Sequence, residues 1–95
     1  VDDVSDLRWE ALDIVHRVQP AEGSWPEVLH DLHWNDGWRI EAIRNDILAR
    51  GACTIPIRVT STESGFRVVD GHRRVAAALS LLVDVPVEIV NGDEA

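Results

Sequence analysis

Five consecutive residues, Asp70-Gly71-His72-Arg73-Arg74, combine the side chains and the backbone freedom needed to hold an anion. They lie within residues 68–79, VVDGHRRVAAAL, which read as a strand running through a glycine turn into a helix. A helix N-terminus points backbone amides outward and carries partial positive charge. Two guanidiniums add full charge in a geometry that matches phosphate. Gly71 permits close approach of the backbone to a phosphate, and equally a strand-to-helix turn at positive φ. Arg73 and Arg74 sit about 100° apart around a helix, so one can face an anion while the other faces a carboxylate or solvent. At least one of them is expected on phosphate. His72, on the first turn, suits a neutral hydrogen-bond donor or proton shuttle, because a helix N-terminus disfavours imidazolium; packing or capping is the plain alternative. Asp70, directly before the helix, is expected to cap it; orienting an arginine or holding a metal that accompanies the anion are its other uses.

Other residues could add chemistry to this corner. Glu41 and Asp46 lie on a helix and are lesser candidates for a base or metal ligand, against the ordinary role of carboxylates on a solvent face. His30 and His33 are three apart on one helix. Zinc pairs usually take a spacing of four and a third ligand, so no metal site is expected here. Cys53 is the only cysteine, which excludes an internal disulfide and fits a reducing cytoplasm. Four tryptophans, Trp9, Trp25, Trp34 and Trp38, stand with one Phe and no Tyr. Most are expected to fill the core. Trp34 or Trp38, flanking a polar break, is the best candidate for exposure on a partner-binding face.

These residues need elements to position them. Residues 1–6 are acidic and expected to fray. Ser5 or Asp6 can cap a helix to about Val18, with Leu7, Ala11, Ile14, Val15 and Val18 at helical spacing. Ser24, Pro26 and Glu27 form the start signal of a second helix. Asn35-Asp36-Gly37 reads as a break. A third helix, about 38–50, has Ile40, Ile43, Ile47 and Leu48 on one stripe, and Gly51 stops it. Residues 55–60, IPIRVT, read as a strand, and 66–70 as its hairpin partner. A helix over 72–82 and a strand over 85–90 follow. The order α-α-α-β-β-α-β implies an α+β domain with a small mixed sheet.

Ninety-five residues with 45% hydrophobic content make one small domain. No run is long enough for a membrane span and no secretory signal is present, so a cytoplasmic protein is expected. The first residue is Val, so the start is expected to be processed or the chain to be cut from a longer one. The net charge of −8 argues against a general nucleic-acid binder. The charge is unevenly spread. Residues 39–74 carry seven arginines and four acids, a net +3, and both flanks are acidic. All nine bases are arginine; the scattered placement makes this a compositional bias rather than a binding device.

Residues 40–90 resemble the N-terminal domain of the ParB/sulfiredoxin superfamily. Four ordered pieces carry the likeness: IEAIRNDILARG, IPIRV, GFRVVDGHRRVAAAL and VPVEIV. The resemblance implies a core over 38–90 with residues 1–37 as an N-terminal helical extension. It also implies that Asp70, Gly71, His72, Arg73 and Arg74 form a seat for nucleotide phosphate, with ATP or CTP and Mg2+ as the ligand. Gly71, Arg73 and Arg74 match the Gly-Glu-Arg-Arg box of ParB proteins, while His72 replaces the Glu. Ala76 stands where partition proteins usually have a second arginine, and Leu82 at the usual helix-ending glycine. Sulfiredoxins place a catalytic cysteine in this turn; here there is none, and Cys53 precedes the Pro-Ile strand. The helix-turn-helix that reads DNA in partition proteins is not among these residues.

Three functions compete. The first is a nucleotide-binding domain, with or without hydrolysis or phosphotransfer, in a DNA-partition or regulatory setting. The second is a non-enzymatic regulatory module that docks a protein or a second copy through its Trp-rich N-terminal part. The third is a DNA-associated nuclease-type domain, in which DNA binding is weak at most because of the net charge.

Overall fold

The computed structural model describes residues 7–90. In chain order the elements are β1 (Arg8–Glu10), α1 (Ala11–Arg17), β2 (Val18–Gln19), α2 (Trp25–Arg50), β3 (Ile57–Thr62), β4 (Gly65–Asp70), α3 (His72–Leu81) and β5 (Asp84–Val90). The strands form one mixed sheet in the order β1-β5-β3-β4-β2. β3 pairs antiparallel with β4 and parallel with β5. The expected α+β class with a small mixed sheet is what the chain adopts.

The N-terminal third corrects the sequence expectation. It is not a purely helical extension, because it supplies both edge strands. The helix expected from Ser5 or Asp6 begins only at Ala11, and those two capping candidates lie outside the described residues. Residues 8–10 instead pair antiparallel with β5, Trp9 opposite Val85. Arg8 donates to Asp84 at 2.8 Å and to the Cys53 carbonyl at 2.9 Å. Val18 and Gln19 pair parallel with Phe66 and Arg67. Tertiary pairing thus overrides the helical spacing, as it commonly does for strands of two or three residues. Neighbouring strands lie ~4.8 Å apart, so three strand spacings would hold β1 and β4 about 14 Å apart in a flat sheet. The Trp9 and Phe66 rings nevertheless meet at 5.2 Å, so the sheet curls.

The middle of the chain follows its local signals. Ser24 and Glu27 complete a reciprocal capping box at the start of α2. Gly51 ends α2 at φ 81°, its N–H bonded to the Ile47 carbonyl. The break at Asn35-Asp36-Gly37 is a kink, not a loop: helix runs on both sides and Asp36 alone is non-helical, at φ −133° and ψ 23°. β3 starts two residues later than expected, leaving Ile55 and Pro56 as its lead-in. The core lies between the concave sheet and the helices, around Ile14, Ile47, Ile57, Val59, Val68 and Val75.

The tryptophans divide evenly, against the expectation that most fill the core. Trp25 is buried and its indole Nε1–H donates to the Val18 carbonyl at 2.6 Å. Trp9 is partly buried. Trp34 and Trp38 are 71% and 69% exposed.

Candidate anion site at the start of α3

β4 delivers the chain into α3 through Gly71, which sits at φ 107° as the helix N-cap. Two constraints select glycine there. The left-handed backbone disfavours any side chain. A Cβ would also lie 2.7 Å from Ile57 Cγ2 and 3.1 Å from Ile57 Cα. This close approach is to β3, so the local fold alone accounts for the glycine.

Asp70 corrects the capping expectation. It is the last residue of β4, Gly71 holds the N-cap position, and no side chain caps the helix. The first turn also lacks an acidic residue. The amides of α3 therefore open without a side-chain acceptor into a cavity of about 450 Å3. Asp70, Gly71, His72, Arg73 and Arg74 all line it.

His72 is held in place by groups distant in sequence. The Ala21 N–H donates to His72 Nε2 at 3.0 Å, and the imidazole lies 5.8 Å from the Trp25 ring. Burial pushes its pKa below the usual value, partly opposed by the charge of Asp70. Accepting at Nε2 requires the neutral ring with its proton on Nδ1. Nδ1–H is the group left to donate elsewhere.

Arg73 and Arg74 diverge, as their spacing on a helix requires. Arg73 donates to Asp36 Oδ2 at 3.1 Å, reaching the kink of α2, while its Nε–H is buried with no acceptor. Arg74 turns toward the lead-in of β3 and donates to the Pro56 carbonyl at 3.4 Å. Among the described residues no carboxylate pairs with Arg74.

The other wall of the cavity comes from the N-terminal half of the chain. Ala21 and Glu22 precede α2, and Val28, Asp31, Leu32 and Ile43 lie on it. Along a straight helix Val28 and Ile43 would be about 22 Å apart. The kink bends the two halves of α2 around one cavity. Glu41 and Asp46 do not line it. Glu41 is exposed, and Asp46 pairs with Arg50 at 2.8 Å beside a neighbouring cavity that also holds Cys53 and Arg74. The carboxylates that line the cavity are instead Glu22, Asp31 and Asp70. Spacing could not reveal the first two, which approach from the other end of the chain. Their one indirect signal was the capping box at Ser24, which fixes where the preceding loop ends.

Cys53 is buried, its thiol directed to the Ile55 carbonyl, and burial raises its pKa. His30 and His33 pack edge-on to Trp34. Among the described residues no three His, Cys, Asp or Glu side chains are grouped to hold a metal ion. No helix among them is long and apolar enough to cross a membrane.

No protein-family model and no curated protein sequence matches the chain. Among solved structures it is similar to sulfiredoxin from Arabidopsis thaliana. The TM-score is 0.62, over 90% of this chain and 86% of that chain, at 17% sequence identity. The chain therefore has the mixed α+β fold of the ParB/sulfiredoxin type.

Proposed function

We propose that this domain binds a nucleoside triphosphate, ATP or CTP, through its phosphates at the start of α3. The observation that carries this reading is an uncapped helix N-terminus opening into a cavity that two adjacent arginines share. Val28, Leu32 and Ile43 offer an apolar wall to the rest of the ligand. Glu22, Asp31 and Asp70 outnumber the two arginines, so a bare polyphosphate meets opposing charge. Mg2+ carried with the phosphates offsets it, with these carboxylates as the groups to meet the metal or its water. Sulfiredoxin-type sulfur chemistry is not part of the proposal, since the turn has no cysteine and Cys53 is a buried thiol. The setting proposed is regulatory and cytoplasmic, with hydrolysis or phosphotransfer left to the same test.

Thermal unfolding with ATP, CTP and Mg2+ tests the reading. A ligand at about 100 times its dissociation constant adds ~2.7 kcal/mol of stability. Arg74→Ala should lose most of that shift, and product assay of the same samples shows whether the nucleotide turns over. No shift with any nucleotide overturns the proposal.

A second reading has its own observation. Trp34 and Trp38 lie on either side of the kink in α2 and are largely exposed, which suits docking of a protein or of a second copy. Sedimentation across concentrations tests the second-copy form; a monomer throughout rules that form out.

A further inference from the structure

We infer that Asp36 is an internal competitor for the anion site: it occupies Arg73 when the cavity lacks an anion, and its release resets the kink of α2. The inference rests on the phosphate reading above and concerns how that site is regulated.

Three observations meet at Asp36. It is the one non-helical residue inside a 26-residue helix. Its Oδ2 accepts from Arg73 Nη2 at 3.1 Å, an ion pair that joins α2 to a residue lining the cavity. Its Oδ1 lies 3.9 Å from Arg39 Nε, three residues along the same helix.

The pairing leaves Arg73 only partly used. Asp36 accepts from Nη2 alone, while the Arg73 side chain is 42% exposed. A phosphate can accept from two guanidinium nitrogens together, the bidentate arrangement in which guanidinium binds oxyanions best. The incoming anion is therefore the better partner. Asp36, once displaced, still has Arg39 within reach, so its charge is not stranded. Asp36 thus has two partners to alternate between, and the ligand biases the choice. The kink shapes the cavity, because Val28 and Leu32 precede it and Ile43 follows it. Losing the Arg73 contact removes the side-chain tie at the bend, so occupancy of the site and the shape of α2 are coupled. Trp34 and Trp38 flank the bend and move with it.

Tripolyphosphate with Mg2+ is the probe, and calorimetric titration of wild type, Asp36→Asn and Glu41→Gln is the test. Glu41 is exposed on α2 and does not line the cavity, so it controls for loss of a negative charge on the same helix. Asp36→Asn should bind about fivefold tighter, the scale of one partly exposed ion pair, and Glu41→Gln clearly less. Amide exchange across residues 34–40 should change when wild type binds the probe. It should already be changed in unliganded Asp36→Asn. Equal gains in the two variants, or no gain in Asp36→Asn, overturn the competitor role while leaving phosphate binding intact. Unchanged exchange in liganded wild type overturns the coupling to the kink without recourse to any variant. No binding by any of the three proteins removes the phosphate reading, and this inference with it.

Discussion

A Cβ placed on Gly71 would lie 2.7 Å from Ile57 Cγ2. Ile57 is fully buried at the start of β3, where it pairs in register with Val87. The turn that opens α3 is thus pressed directly onto the middle of the sheet. Gly71→Ala combines a left-handed backbone with overpacking against a strand that cannot retreat. The two effects together should cost roughly 2–4 kcal/mol. Urea denaturation measures this, and a loss below about 1 kcal/mol would show that β3 yields more easily than its burial indicates.

His72 makes stability depend on pH. Its folded pKa is lowered, chiefly by burial, so the unfolded chain binds more protons in the window just below the unfolded value, about 6.5. Stability from this group is fully present above that value and is lost as the pH falls through the folded pKa. Protonation also takes the acceptor at Nε2 from the Ala21 N–H. Denaturation midpoints should therefore decline from pH 7 toward pH 5. In His72→Gln, which has no titrating group, that decline should be shallower; an unchanged slope would assign the effect to another group.

How far the sequence discloses this site depends on whether the signal is local. Gly71, Gly51 and the Ser24–Glu27 box are set by short-range backbone demands, and each sits where its pattern indicates. Strands β3, β4 and β5 carry β-branched runs long enough to read. β1 and β2 are three and two residues long, and exist because β5 and β4 offer partners. Leu7, which precedes β1, and Val18 of β2 fall at helical spacing with Ala11, Ile14 and Val15, so the pattern points the wrong way. The same division applies to the candidate site. The DGHRR turn is legible because it is contiguous. Asp36 and Ala21 meet it from 37 and 51 residues away, and only the tertiary fold brings them in. Asp70 does not cap α3: β4 ends on it, as the strand pattern indicates, and the N-cap position falls one residue later, on Gly71.

Leu82 ends α3 at φ 57° and ψ 44°, the one non-glycine residue at positive φ among those described. It is 76% exposed, so its side chain gains little from the core. The Leu82 N–H reaches the Leu79 carbonyl and the Val83 N–H the Ala78 carbonyl, a helix ending that glycine normally supplies. Leu82→Gly should remove the left-handed penalty and keep both bonds, stabilising the domain by about 1 kcal/mol. A rise in the denaturation midpoint with an unchanged urea slope would establish it. Destabilisation would mean that the Leu82 side chain is held by a contact its exposure conceals.

The tryptophans separate structural from surface roles in one experiment. Trp25 is 6% exposed, donates to the Val18 carbonyl and lies beside His72, so Trp25→Ala should cost about 3–5 kcal/mol. Trp34 touches only the edges of His30 and His33 among aromatic rings, and Trp38 lies under the Arg39 guanidinium at 4.9 Å. A cation–π contact this exposed contributes at most ~1 kcal/mol. Trp34→Ala and Trp38→Ala should each change monomer stability by about 0.5 kcal/mol or less. Any larger loss that appears only at high protein concentration belongs to an assembly, because burying these two indoles between copies links stability to concentration. Denaturation of both variants at two concentrations a hundredfold apart therefore distinguishes a self-associating face from a free one. Concentration-independent midpoints in wild type would rule out a second copy as the occupant of this face.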